Sequence, residues 1–73
     1  MTKTRVFEIR EEDEYIELIK LLKAANVVES GAMAQILVTE EQVLRNSEVE
    51  TRKRAKIRRG EIIEALGQRI EVK

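Results

Sequence analysis

The sequence predicts an α+β domain in which one strand is followed by two packed helices and then by a small antiparallel sheet. Two observations support this prediction. Apolar residues in the first half follow helical spacing, and after them the pattern changes to short β-prone pieces separated by turn residues. The 73 residues contain no proline, no low-complexity linker and no internal repeat. We therefore expect a single domain over residues 1–73, near the lower size limit for a stable core.

The opening strand is predicted over residues 6–9, where Phe7 and Ile9 stand two positions apart. An acidic run follows at residues 11–14. We expect these carboxylates at the start of a helix, where they would complement the helix dipole. An acidic metal site is disfavoured, because four adjacent side chains cannot converge on one ion.

The first helix is predicted over residues 15–25, because apolar residues recur there at helical spacing. These residues are Tyr15, Leu18, Ile19, Leu22 and Ala25. Asn26 is expected to end the helix in a left-handed conformation, which asparagine tolerates better than most residues.

The second helix is predicted to follow Ser30, its N-cap, and to run to residue 38 or 39. Three apolar residues recur at the spacing of a buried face: Met33, Ile36 and Leu37. Three small residues would let this helix pack closely against the first: Gly31, Ala32 and Ala34.

The periodicity then changes to that of short strands. The β-like pieces are residues 43–45, 49, 57, 62–66 and 70–72. Turn residues separate them at 46–47, 60 and 67–68. These pieces predict three or four strands.

The composition excludes several functions. Cysteine and histidine are absent, which removes disulfides, thiolate zinc sites, a cysteine nucleophile and the usual general base. A core this small leaves little room for a catalytic cleft, so we expect no enzyme, no metal and no cofactor. No apolar run approaches the roughly 20 residues needed to span a bilayer, and we expect a cytoplasmic protein without membrane contacts.

The charges are segregated along the chain. Residues 51–73 carry eight positive and three negative charges, a balance of +5, whereas residues 1–50 carry six and eleven, a balance of −5. The basic segment, defined as residues 51–60, contains six cations and no acid. Like-charge clustering costs stability through repulsion, and a polyanion such as nucleic acid would offset it.

The order and spacing of these residues resemble the RNA-binding domain named for ribosomal small-subunit protein four, here called the S-four domain. That family follows, loosely, the pattern S-R-x-x-A-x-x-L-I-x-x-G-x-V-x-V-N-G, then a basic stretch, then G-D-x-I. The matching positions are Ser30, Ala34, Leu37, Val38, Val43, Asn46, Val49 and residues 60–63. The resemblance covers about residues 15–66 and is greatest to small stand-alone bacterial members. It implies the S-four, or alpha-L-like, RNA-binding motif.

Four positions depart from the family pattern. Gly31 replaces an arginine, and Arg45 replaces a valine expected to pack inward. Glu41 and Ser47 replace glycines. Both are expected to adopt a left-handed backbone, which costs a non-glycine residue about 1 kcal/mol.

The resemblance and the charge pattern together predict a non-catalytic, monomeric protein that binds structured RNA. The resemblance implies ribosomal or transfer RNA, or ribosomal particles. The expected phosphate contacts are Arg52, Lys53, Arg54, Lys56, Arg58 and Arg59. Further candidates beside them are Arg45, Asn46, Gln35, Gln42 and Ser30. Neutralising about five phosphates would give log K a slope near −4 against log salt.

Other interpretations remain open from the residues alone. The basic segment could be a solvated loop, or it could dock an acidic partner protein in an assembling ribosome. A helix-turn-helix DNA reader is disfavoured, because its recognition helix would contain no lysine or arginine. Only Phe7 and Tyr15 are aromatic, so we expect recognition of RNA backbone and shape rather than stacking of bases.

Overall fold

Seven strands and two helices follow one another along the chain in a computed structural model that describes residues 3–73. The elements in chain order are β1 (Lys3–Phe7), β2 (Tyr15–Glu17), α1 (Leu18–Ala24), α2 (Gly31–Thr39), β3 (Val43–Arg45), β4 (Glu48–Val49), β5 (Lys56–Arg58), β6 (Ile62–Ala65) and β7 (Gln68–Val72).

The strands form two sheets. Five strands make the larger sheet in the order β1-β7-β6-β3-β4, and β2 and β5 make a separate antiparallel ribbon. All neighbours in the larger sheet are antiparallel except β1 and β7, which run parallel. The predicted α+β class is confirmed, with one parallel edge strand and one additional ribbon.

A single hydrophobic core joins these elements. Leu18, Leu21 and Leu22 of α1 are fully buried. The same cluster holds Ile57 of the ribbon and Ile63 of the larger sheet, both also fully buried. Ile57 thereby fixes the ribbon to the body of the domain, and Ile16 of β2 also packs against this core.

The first helix is shorter than predicted, because residues 15–17 form β2 instead of a helical turn. Ile16 pairs with Ile57 across the ribbon. The helix start is fixed from the basic segment: the amides of Leu18 and Ile19 donate to the carbonyls of Ala55 (2.9 Å) and Lys53 (3.3 Å). This long-range pairing overrides the local helical spacing.

The acidic run is not at a helix start, so that prediction is wrong. Residues 11–12 lie in a turn before β2, and the amide of Asp13 donates to the carbonyl of Arg10 at 2.9 Å. The first turn of α1 contains no acidic residue.

The cap of the second helix is confirmed, and its predicted buried face is partly wrong. Ser30 Oγ accepts a hydrogen bond from the amide of Met33 at 3.2 Å. Met33 and Ile36 are 47% and 56% exposed, whereas Ala34 and Val38 are fully buried. Ala34 and Val38, four positions apart, mark the side of α2 that faces the core, and Met33 and Ile36 lie at other angles around the helix, where they are exposed.

Left-handed backbone occurs where the turns require it. Asn26 ends α1 with φ 59°, as predicted, and Glu41 has φ 59° after α2. Asn46 (φ 50°) and Ser47 (φ 71°) form the two-residue turn between β3 and β4. Such hairpin turns favour Asn-Gly, because both central residues need positive φ.

Replacing Ser47 by glycine should stabilise the protein. Ser47→Gly relieves the left-handed strain, and part of that gain is offset by the greater freedom of glycine in the unfolded chain. We expect a gain of about 0.5 kcal/mol, which raises Tm by roughly 2–4 °C for a domain of this size. Thermal unfolding followed by circular dichroism measures it.

Asn46→Gly is the matched control in the same turn. Asn46 also has positive φ, but its Oδ1 accepts from the amide of Ile62 at 2.9 Å. Losing that bond should outweigh the relief of strain, so this variant should melt lower than the wild type. A lower Tm for Ser47→Gly would contradict the role assigned to strain.

Candidate nucleic-acid interface

The β2–β5 ribbon positions two of the predicted cations. Successive side chains of β5 point to opposite faces of the ribbon, so Ile57 is buried whereas Lys56 and Arg58 are exposed on the other face. Tyr15 pairs with Arg58 in the register of the ribbon. The ribbon thus presents two cations and one aromatic ring.

An open concavity of about 470 Å³ lies at this part of the surface. Five of the predicted cations and one alanine line it: Arg45, Arg52, Arg54, Ala55, Lys56 and Arg58. We call this surface the cationic concavity. The structure therefore brings together most of the positive side chains that the sequence singled out.

Arg45 lines the cationic concavity and is held in place by a network of hydrogen bonds. Its Nε and Nη2 donate to the two carboxylate oxygens of Glu61 at 2.7 and 3.0 Å, and its Nη1 donates to Glu50 Oε1 at 3.1 Å. Nη2 also donates to the carbonyl of Lys56 at 2.9 Å. The hydrogen bonds that Arg45 donates to Glu61 are the main cause of the raised pKa of Arg45.

Glu50 is the one buried charged residue in the described part of the chain, with 7% exposed. Its Oε2 accepts from the amide (3.0 Å) and the Nε (3.1 Å) of Arg52. The side-chain bonds from Arg52, with the backbone bond and the bond from Arg45, outweigh burial and lower the pKa of Glu50 to about 2. Glu50 therefore remains ionised and holds the start of the basic segment in place.

Glu61 fixes the other end of the basic segment. It accepts a hydrogen bond from the amide of Arg58 at 2.6 Å and one from Asn46 Nδ2 at 3.3 Å. Burial alone would raise the pKa of Glu61, but Arg45 and the amide of Arg58 outweigh it and lower the pKa. The carboxylates of Glu50 and Glu61 thus restrain the backbone on both sides of β5.

The predicted cations differ in what they contact. Among the described residues, no carboxylate lies within ion-pair distance of Lys53, Arg54, Lys56 or Arg58. Arg52 pairs with Glu50, although 74% of the Arg52 side chain stays exposed. Four cations are therefore free to meet an external anion.

Three of the predicted residues that do not line the cationic concavity have hydrogen bonds elsewhere in the fold. Arg59 turns back and donates from Nη2 to the carbonyls of Ile9 (3.3 Å) and Arg10 (2.9 Å). Ser30 is engaged as the cap of α2. Gln42 Nε2 donates to the carbonyl of Glu40 at 3.3 Å. Each of these three side chains is thus engaged within the fold.

Lys53 and Gln35 meet in a separate shallow groove. That groove is bordered by α2 and holds about 640 Å³. It lies where the basic segment passes the exposed face of the helix. Lys53 and Gln35 thus line a surface separate from the cationic concavity.

Tyr15, Glu50 and Glu61 belong to the site but were not singled out from the sequence. One signal was available for the carboxylates. A charged residue at an inward position, Arg45, requires a buried partner of opposite charge. No local signal placed Tyr15 opposite Arg58, because that register depends on the fold.

No group of metal-ligating side chains suited to hold an ion occurs within residues 3–73. In the same range, neither helix has the length and apolar character that crossing a membrane would demand.

The sequence model of the S4 domain family matches residues 7–73. This match covers nearly all of the described residues, including the ribbon and the cationic concavity. The chain belongs to the S4 domain family, which is the S-four domain that the residue pattern resembled.

Curated relatives and a solved structure agree with this assignment. "Putative RNA-binding protein YbcJ" of Escherichia coli (strain K12) is 43% identical over 58 residues, covering 80% of this chain and 83% of the relative. "Probable ribosome maturation protein RlbA" of Bacillus subtilis (strain 168) is 39% identical over 54 residues, covering 74% and 76%. The solution structure of YbcJ from E. coli, described as having an alfaL motif involved in RNA-binding, superimposes with a TM-score of 0.74 at 38% identity. That superposition covers 99% of this chain and 90% of YbcJ.

The lowered pKa values of Glu50 and Glu61 predict a loss of stability in acid. The pKa of Glu50 lies near 2 in the folded protein, below its ordinary value of 4.5, so its contribution is present above pH 4.5 and is lost as the pH falls toward 2. The pKa of Glu61 is shifted in the same direction. Urea unfolding at a series of pH values should show this decline.

The substitution Glu50→Gln tests whether the loss of stability in acid is due to the carboxylate of Glu50. At neutral pH the variant should lose about 1–3 kcal/mol, because a charged acceptor of several hydrogen bonds is removed. Its stability should also depend less on pH between 4.5 and 2 than that of the wild type. Glu48→Gln, on exposed β4, is the control, and its free energy of unfolding and pH dependence should equal those of the wild type. Equal acid sensitivity of wild type and Glu50→Gln would contradict the role of Glu50.

Proposed function

We propose that the chain is a non-catalytic RNA-binding protein that docks on structured RNA through phosphate contacts. The observation that carries this proposal is the convergence of five cations on the cationic concavity, three of which have no carboxylate partner in the described structure. Membership of the S4 domain family and the RNA-binding names of relatives support it.

The underlying ion network favours an external anion over a self-contained structural role. Glu50 and Glu61 already engage Arg45, and Glu50 also engages Arg52. Arg54, Lys56 and Arg58 remain exposed beside one another without such partners. Their mutual repulsion would be relieved by the phosphates of a polyanion. Arginine suits this task, because its planar fork can donate two hydrogen bonds to one phosphate.

Structured RNA is favoured over duplex DNA. The cations lie on a short ribbon and its preceding loop, and α2 contains no lysine or arginine to read a major groove. A ribbon with phosphate-binding side chains suits the backbone of a folded RNA. The target class that we propose is ribosomal or transfer RNA, and the ribosome-maturation name of the Bacillus relative favours the ribosomal one.

Binding should depend steeply on salt. Within the basic segment of the described structure, the cations that bond to neither a carboxylate nor a backbone carbonyl are Lys53, Arg54, Lys56 and Arg58. If they neutralise about four phosphates, the slope of log K against log salt should be about −3.5. Raising the salt concentration fourfold would then weaken binding roughly a hundredfold. Fluorescence anisotropy with a labelled ribosomal RNA hairpin measures the slope, and a flat dependence would refute phosphate docking.

Single substitutions locate the interface. Arg54→Ala should reduce the magnitude of the salt slope by about 1, because one phosphate contact is removed. Arg69→Ala is the matched control, since Arg69 is an exposed arginine on β7 that does not line the cationic concavity. Equal losses in the two variants would show that total charge, rather than this surface, determines binding.

A further inference from the structure

Tyr15 is the exposed aromatic residue that borders the cations of the ribbon. It is 38% exposed. Lys56 Nζ lies 5.1 Å from the centroid of its ring, and Arg58 Cζ lies 5.9 Å from it. Both distances are within the range of a cation–π interaction, so the ring and the two cations share one small surface.

We propose that Tyr15 is a stacking site for one unpaired nucleotide of the bound RNA, whose flanking phosphates contact Lys56 and Arg58. This inference rests on the proposed RNA-binding function and adds a ligand feature that phosphate docking alone does not require. A base has a flat π face that stacks on an aromatic ring, and its phosphates lie within reach of cations beside the ring.

The ribbon register makes this arrangement rigid. Tyr15 is the Cα partner of Arg58, and Ile16 beside it pairs with Ile57, which is fully buried. The ring is therefore carried on backbone that is fixed to the core. A pre-positioned ring loses little conformational entropy when a base stacks on it.

The surroundings of the ring favour a nucleotide over an extended duplex. Lys56 and Arg58 of β5 lie close to the ring of Tyr15. Tyr15 also borders a depression of about 660 Å³ whose lining contains more acidic than basic side chains: Glu8, Glu12, Asp13, Glu14 and Glu17 against Arg10 and Lys20. These carboxylates would repel a continuous phosphate backbone that crossed the ring. A single base on Tyr15 with its phosphates turned toward β5 avoids that repulsion.

Two hairpins separate stacking from phosphate docking. One is a fully paired RNA stem, and the other is the same stem with one bulged adenosine. Tyr15→Ala should weaken binding of the bulged stem by roughly tenfold, the scale of one lost stacking contact, and should leave the affinity for the paired stem within twofold. Tyr15→Phe keeps the ring and should retain the affinity for the bulged stem.

Tyrosine fluorescence provides a direct measurement on the unmodified protein. The chain contains one tyrosine and no tryptophan, so its emission reports on Tyr15 alone. The bulged stem should quench this emission at saturation, and the paired stem should quench it much less. Urea unfolding of Tyr15→Ala and Tyr15→Phe checks that both variants are folded under the binding conditions.

The outcomes distinguish this inference from the proposed function. Salt-dependent binding of both stems with equal affinity, equal quenching and no effect of Tyr15→Ala overturns the stacking site and leaves phosphate docking intact. Equal weakening of both stems by Tyr15→Ala also overturns it, because Tyr15 would then act only by orienting Lys56 and Arg58. If the protein binds neither the paired stem nor the bulged stem, both proposals are overturned.

Discussion

The candidate interface depends on the hydrogen bonds that the guanidinium of Arg45 donates to three different parts of the chain. The guanidinium bonds to Glu61, to Glu50 and to the carbonyl of Lys56, and so joins β3, the loop after β4 and the strand β5. Each of these groups is costly to bury alone, but together they satisfy one another. Among residues 3–73, no buried side-chain nitrogen or oxygen lacks a partner. A polar cluster inside a very small domain thus shapes the surface above it.

The cations of the second half of the chain, Arg45 included, fall into two groups in the structure, those that pair with carboxylates and those that do not. Some cations neutralise the internal carboxylates, as Arg45 does for Glu50 and Glu61. Others remain outside and unpaired, as Arg54 does at the rim of the cationic concavity. A neutral chain can therefore carry a locally positive surface without unsatisfied charge in its interior. Net charge describes solubility, whereas the placement of individual charges describes binding.

The sequence predicted the fold class and most element positions, because helical spacing, the Ser30 cap and the turn residues are local signals. It did not predict β2, since residues 15–17 also fit a helical stripe and become a strand only by pairing with β5. It also did not predict that Met33 is exposed, because the side of α2 that contains Ala34 packs against the core instead. For the site, the cations were evident from the sequence, but which of them form ion pairs depended on the folded positions of Glu50 and Glu61.

The pairing of β1 with β7 has a consequence for the time at which the domain is completed. Lys3 is the partner of Gln68, so the edge strand joins residues from nearly opposite ends of the described chain. During translation, which proceeds from the N-terminus, β1 remains without its neighbour until residues 68–72 have left the ribosome. The strand pairs of β2 and β5 involve no residue beyond 58, and Glu61, which accepts from the amide of Arg58, follows three residues later, so the ribbon can assemble earlier. The order of synthesis thus makes the residues of the cationic concavity available before the sheet can close.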